Sequence, residues 1–397
     1  MSSRSPFSKQ AITRIVLDLL AEELALSRGR SAADLKAQHW NGETRLDEDG
    51  LDLDSLERLN ASAALNQFFH LHEYGAEDYL LAMKSVAEWV ELVEQSLAEA
   101  GTHLTFQTSG STGVPKKCTH SIADLMAEVE SWAGIIERPD HIISLVPSHH
   151  IYGTIWTGLL PDHWGIDCTN RRFSAASALT ETQPGKTLVI GTPALWQYVA
   201  RSLLVFPAGV TGVTSTAPMP AQLAQQLGAQ KLESLIEIYG SSETGGIGWR
   251  RDHTAPYALL SHWQRADASS LIRSGVQGEQ SRYDFMDEID WHDERHLTVS
   301  GRRDGAVQIG GHNVFPEQIR QRLLGHADIA DAAIRLEPAN GRLKAFIVPK
   351  GEGEDPNALI DRIESWCAGE FKAAERPKRF AVGDALPRNA MGKLRDW

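Results

Sequence analysis

Five short apolar or β-branched runs, LTFQTSG, HIISLVPS, TLVIGTP, GVTSTAP and SLIEIYG, follow one another between residues 104 and 240, each ending in Gly, Ser or Pro. Helical patterns such as Ser121–Ile136 and Ala221–Leu227 lie between them. Strand–turn–helix alternation of this kind predicts an α/β domain with a largely parallel sheet. In such a sheet the ligand-binding loops sit at the carboxyl ends of the strands.

The flanks read differently. Residues 8–27 carry Ile12, Ile15, Val16, Leu19 and Leu20 at helical spacing. Leu56, Leu59 and Ala63 predict a second helix, and Val86, Trp89, Val90 and Val93 a last one. After Gly301 the run AFIVPK predicts a strand and Pro356–Ala373 a helix. The expected organisation is therefore multidomain: an all-α unit over 1–100, an α/β domain over 101–300, and a small α+β domain over 301–397.

Charge narrows the partners. Of the net −13, residues 1–100 contribute −9, with 9 Lys/Arg against 18 Asp/Glu. This argues against nucleic acid, which requires a basic face; it suggests partners with basic surfaces, although charge alone favours a solvated acidic helical face. No apolar run reaches the roughly 18 residues of a membrane helix. Asp18, Glu22 and Glu23 interrupt the first apolar stretch, so no signal peptide is expected. Three widely spaced cysteines without a CxxC predict neither a disulfide framework nor a zinc site, and point to the cytoplasm.

Four segments carry chemistry. TSGSTGVPKK (Thr108–Lys117) places hydroxyls, glycines and lysines where a bare backbone can wrap phosphate oxygens. It is not a P-loop, because Lys116 follows Pro115 rather than Gly. Tyr239-Gly240-Ser241-Ser242-Glu243-Thr244-Gly245 ends an apolar strand with a ring for a base, hydroxyls for phosphate and a carboxylate for Mg²⁺. Gly301-Arg302-Arg303-Asp304 places Arg302 15 residues after Asp287, and LPRNAMGK ends at Lys393.

In this order the four resemble the acyl-adenylate-forming superfamily of acyl-CoA synthetases, aryl-acid ligases and peptide-synthetase adenylation domains, over about residues 101–397. The resemblance implies a role for each residue. Thr108, Ser109, Gly110, Ser111, Thr112, Gly113 and Lys116 would hold the pyrophosphate end of ATP. Ser242 would contact the α-phosphate, Glu243 would hold Mg²⁺, and Tyr239 would lie against adenine. Asp287 would take the ribose hydroxyls and Arg302 would assist at ribose or phosphate. Asp304 would be the hinge of the small domain. Lys393 would bridge the carboxylate and the α-phosphate. VPSHHIYG resembles the acyl-pocket segment, with His150 at its edge, and TSTAPMP the adenine-side loop.

DEDGLDLDSLERLN (Asp47–Asn60) resembles an acyl-carrier-protein signature, which would make Ser55 a phosphopantetheine attachment site. The implied partners are a carboxylic acid, favoured as an aryl acid such as a hydroxybenzoate with a fatty or hydroxy acid second, a phosphopantetheinyl transferase, assembly-line enzymes of polyketide or pigment type, and a carrier protein or CoA as acyl acceptor. Two alternatives stand beside it: an acyl-CoA ligase whose first unit is only structural, and an inactive nucleotide-binding scaffold. The interval before TSGSTG is short for this superfamily, so part of the acyl-pocket wall is expected to be missing or replaced.

Overall fold

The computed structural model describes residues 6–108, 116–172, 179, 185–274, 280–303, 305–337, 340–351, 355–387 and 394–397. These form two compact units, one holding the described residues of 6–108, 116–285 and 290–298, the other those of 286–289 and 299–397.

The first unit opens with three helices. α1 (Lys9–Arg28) is capped by the Ser8 hydroxyl, which accepts from Ala11 N at 3.1 Å, and stops at Gly29 with φ 59°. α2 (Ser55–Phe69) starts at a capping box in which Glu57 N donates to Asp54 and Asp54 N donates back to Glu57, at 2.8 and 3.2 Å. α3 (Val86–Ala100) starts at a second box built by Ser85 and Glu88 and buries Val86, Trp89, Val90 and Val93 as expected.

α2 corrects the sequence reading. Its buried face is Ala61, Leu65, Phe68 and Phe69, while Leu56 and Leu59 are 62% and 51% exposed. The aromatic stripe buries far more area than Leu56, Leu59 and Ala63, so it decides the rotation of the helix. Phe68 packs edge-on against Phe106 at 5.3 Å. The three helices belong to the same compact unit as the large sheet. A separate carrier-like domain over 1–100 is therefore not evident.

LTFQTSG also behaves differently from the reading. Its strand, β1 (His103–Thr108), pairs antiparallel with β2 (Lys116–Ser121) in a two-stranded hairpin of its own. The other four runs do form a parallel set. β3 (His141–Ser144), β5 (Thr187–Gly191), β6 (Val210–Thr214) and β7 (Ser234–Ser241) are parallel neighbours in that order, with β4 (Cys168–Asn170) beyond β3. Antiparallel strands continue the sheet past β7: β8 (Gly245–Arg250), β9 (Tyr257–Leu259) and His296–Leu297. Only three residues separate β7 from β8, too few for a parallel crossover. α4 (Ile122–Ile135), α5 (Pro193–Ser202) and α6 (Ala221–Ala229) supply the expected helices. Trp196, Val199, Leu223 and Leu227 pack with Val189 and Val210 of the sheet.

In the second unit a hairpin of Val307–Ile309 with His312–Val314 turns at Gly310 and Gly311, both at positive φ. A three-stranded sheet follows, with Ile329–Glu337 antiparallel to Arg342–Pro349 and Arg379–Val382 parallel to it. The helices Pro316–Leu324 and Pro356–Glu370 cover it through Ile319, Leu323, Leu359 and Ile363.

Candidate active site

The turn between β7 and β8 gathers the residues expected to handle nucleotide. Register sets Thr108 opposite Lys116 across the β1–β2 hairpin. The Lys116 ammonium donates to Glu243 at 2.8 Å, so the two motifs meet in space. Burial alone would raise the Glu243 pKa, but the hydrogen bond and charge of Lys116 outweigh it and hold the group below its ordinary value. The same bond raises Lys116. Both groups are thus charged at neutral pH. The Ser241 hydroxyl accepts from Glu243 N at 3.2 Å, and the Ser242 carbonyl accepts from His120 Nε2 at 2.7 Å. Burial lowers the His120 pKa, which fixes a neutral ring with its proton on Nε2.

The side expected to face the nucleotide base is aromatic. Tyr239 lies 6.5 Å from Phe285 with ring planes 19° apart, and 5.7 Å from Tyr257. Beneath it Glu237 joins three elements: it accepts from Met219 N at 2.9 Å and from Arg250 at 2.7 Å, and Arg250 lies 4.2 Å over the Tyr257 ring. In the loop after β6, Thr216 holds φ 77°, a conformation unusual for a β-branched residue and one that marks a tightly held segment.

Behind the turn, Glu128 of α4 is 2% exposed and accepts from Gly246 N at 2.9 Å and from Trp132 Nε1 at 3.1 Å. A Cβ at Gly245, which holds φ 72°, or at Gly246 would lie 2.4 or 2.5 Å from its carboxylate, so this approach requires glycine. Sequence reasoning missed Glu128, Glu237 and His120. The available signal was polarity inside apolar patterns, Glu237 in SLIEIYG and Glu128 among Leu125, Val129 and Trp132, because buried charge is retained only with partners.

His150 precedes the helix that starts at Ile151, passes through a π-helical turn at Thr154–Leu159 and ends at Trp164. Its ring is 4.3 Å from that of His149, which is buried and pairs with Glu22 of α1. His150 is open at its rim, yet the protein packed around it and the neighbouring His149 lower its pKa to about 4. Tyr152 donates to the Gly191 carbonyl at 3.0 Å. A cleft beside the two histidines is lined by Glu22 and Glu23 of α1, Gln67 of α2, and Thr105 and Gln107 of β1.

The second unit carries Asp287 and Arg302. Arg303 N donates to the Met286 carbonyl at 3.0 Å, which sets the two residues on neighbouring strands of one hairpin. Ser109, Gly110, Ser111, Thr112, Gly113, Asp304 and Lys393 lie outside the described residues. Ser55 is exposed as the first residue of α2, immediately after the Asp54 cap, and the helix start accounts for the DSLE pattern.

A pH test follows from His262, whose Nδ1 lies 3.0 Å from the Ser131 hydroxyl. Burial and Arg273 push its pKa down to about 3. The unfolded chain takes up this proton as pH falls through about 6.5, whereas the folded chain does so only near 3, so stability falls across that window. The thermal midpoint is expected to drop on acidification from pH 7 to pH 5, and to drop less in His262→Gln. Equal slopes in the two proteins would refute the assignment.

Comparison with known proteins agrees with this layout. Residues 49–270 match the AMP-binding enzyme family and residues 318–393 its C-terminal domain. A 4-coumarate–CoA ligase of Halorhodospira halophila is 38% identical over 96% of this chain and 98% of its own. Another from Cereibacter sphaeroides is 37% identical over 98% and 96%. These relatives are of nearly the same length as this chain and are matched over almost all of it. Among solved structures, an o-succinylbenzoate CoA synthetase of Bacillus subtilis has the same fold, with TM-score 0.58 and 17% identity over 96% of this chain and 91% of its own. No described helix is long and apolar enough to cross a membrane.

Proposed function

The chain belongs to the AMP-binding enzyme family, and on that premise we propose that it activates an aryl acid of the 4-coumarate type and transfers it to coenzyme A. The reading rests on relatives named 4-coumarate–CoA ligase that match nearly the whole chain. They favour CoA as the acceptor over a carrier thiol, and a coumarate-type acid over the hydroxybenzoate first expected. Phosphopantetheine on Ser55, its transferase and assembly-line partners find no support in these relatives.

The chemistry fits the residues. A carboxylate acylates poorly because oxide is its leaving group. Attack of its oxygen on the α-phosphorus of ATP breaks the α–β bridge, releases pyrophosphate and leaves an acyl-adenylate. Attack of the thiol on the acyl carbon then expels AMP, and the thiol proton passes to solvent. Reactant and phosphate are both anionic, so catalysis depends on placed cations. Lys116 with Thr108–Gly113 would hold the β- and γ-phosphates, and the Ser242 hydroxyl the α-phosphate. Lys393 and Arg302 would neutralise charge at the reacting oxygens, Asp287 would take the ribose, and Asp304 would be the hinge. Glu243 offers a hard, charged oxygen donor beside Lys116, which fits Mg²⁺; the ion would supply charge neutralisation at the phosphates.

The test is AMP release and thioester absorbance with ATP, Mg²⁺ and CoA over a panel of 4-coumarate, 4-hydroxybenzoate and a fatty acid. 4-Coumarate is expected to give the highest kcat/KM, and no AMP release with any acid would sink the ligase reading. Coexpression with a phosphopantetheinyl transferase is expected to leave the intact mass unchanged. A gain abolished by Ser55→Ala would restore the carrier reading.

A further inference from the structure

α1 lies outside the matched family region, yet one face of it reaches the proposed acid pocket. Arg14, Asp18 and Glu22 are spaced four residues apart and so project from the same face of the helix. Each finds a partner in the segment around His150. Arg14 donates to the Thr157 carbonyl at 2.8 Å and to the Cys168 carbonyl at 3.3 Å. Thr157 lies within the π-helical turn, where the helical ladder is altered and carbonyls need other donors. Asp18 is 4% exposed, accepts from Ser148 N at 2.7 Å and pairs with Arg172. Glu22 pairs with His149.

Ser148 is the pivot of this segment. It is fully buried; its carbonyl accepts from Thr154 Oγ1 at 2.8 Å and its hydroxyl from Thr157 Oγ1 at 3.0 Å. We propose that Arg14, Asp18 and Glu22 form a polar ridge that positions Ser148–Thr157, and with it the edge of the acid pocket at His150. The proposal rests on the reading that His150 borders that pocket. It assigns α1 the work of the pocket wall expected to be missing or replaced.

Electrostatics agrees. Partial burial would raise the Glu22 pKa, but the bond to His149 and the charges of His149, His150 and Arg172 bring it to about 2. Glu23 beside it moves the other way, raised by burial and by Glu22. Glu22 therefore stays ionised at every pH at which the protein would work.

The test uses full-length Glu22→Ala, Glu22→Gln and His150→Ala, with KM measured separately for acid, ATP and CoA. Glu22→Ala is expected to raise the acid KM about tenfold and leave the ATP KM within about twofold, since misplacement by an ångström acts only on the ligand it misaligns. Glu22→Gln, which can still accept from His149, is expected to recover most of the loss. If His150→Ala raises the acid KM and Glu22→Ala does not, the ridge is overturned and the pocket reading survives. If His150→Ala also has no effect, both fall. A uniform loss for all three substrates with a lowered thermal midpoint would mark Glu22 as merely structural and overturn the proposal as well.

Discussion

Glu243→Gln is expected to slow acyl-adenylate formation by about 10²–10³-fold while moving the thermal midpoint by no more than about 3 °C. The side chain is 39% exposed and its carboxylate pairs with Lys116 at 2.8 Å. Glutamine keeps the volume, and its amide oxygen can still accept from Lys116, so the turn should survive. What disappears is a full negative charge where the two segments proposed to handle phosphate meet. Lys116 keeps this carboxylate ionised against the effect of its burial, so the wild-type charge is present throughout the neutral range. On the proposed assignment, Mg²⁺ would lose a ligand without that charge, and the phosphates would lose the neutralisation that the ion supplies. Pyrophosphate exchange checks the rate, and titration with Mg²⁺ should show a higher half-saturating concentration. A rate within about threefold of wild type, at unchanged Mg²⁺ dependence, would rule out Glu243 as the metal ligand.

The parallel set β3–β5–β6–β7 was legible because each strand is a continuous apolar run closed by a turn residue, and such runs are buried on both faces. β1 has the same composition but not the same neighbours. A strand's partner is fixed by topology, and the eight-residue step from Thr108 to Lys116 allows a hairpin that composition does not announce. The helices of the first 100 residues were found at nearly their true positions, yet their domain assignment was not. Length and acidity resembled a carrier protein, while what ties α1 to the sheet is a set of single long-range pairs: Arg14 to Thr157, Asp18 to Ser148, Glu22 to His149. Charged residues on a helix face read as solvated until their partners are known. The four segments stood out as nucleotide candidates because their residue types follow from phosphate chemistry. Glu128, Glu237 and His120 are held by backbone and other protein groups, which no ligand-based pattern announces.

Glu128→Ala is expected to cost about 3 kcal/mol of stability and to lower activity as well. Removing the carboxylate leaves two buried donors, Gly246 N and Trp132 Nε1, without their acceptor, each worth about 1–3 kcal/mol when stranded, and opens a cavity beside Leu260. Relaxation cannot remove the penalty, because Gly246 is fixed from its other side, where its carbonyl accepts from Trp263 Nε1 at 2.7 Å. Glu128→Gln keeps one acceptor and the shape, and should cost about 1 kcal/mol. The pH dependence separates these effects. Burial raises the Glu128 pKa above its ordinary value, so the folded state holds this proton more tightly than the unfolded chain. Its contribution to stability is therefore full at pH below the unfolded value of about 4.5 and is lost as pH rises through the folded value. Glutamine does not titrate, so the deficit of Glu128→Gln relative to wild type should shrink as pH rises. Denaturant midpoints measured from pH 5 to pH 8 decide it: a constant deficit would mean that burial does not raise the pKa of this carboxyl. Because Gly245 and Gly246 follow directly on Ser242, Glu243 and Thr244, loosening them should also raise the ATP KM more than the acid KM. Loss confined to the acid would place the effect of Glu128 elsewhere than on the nucleotide turn.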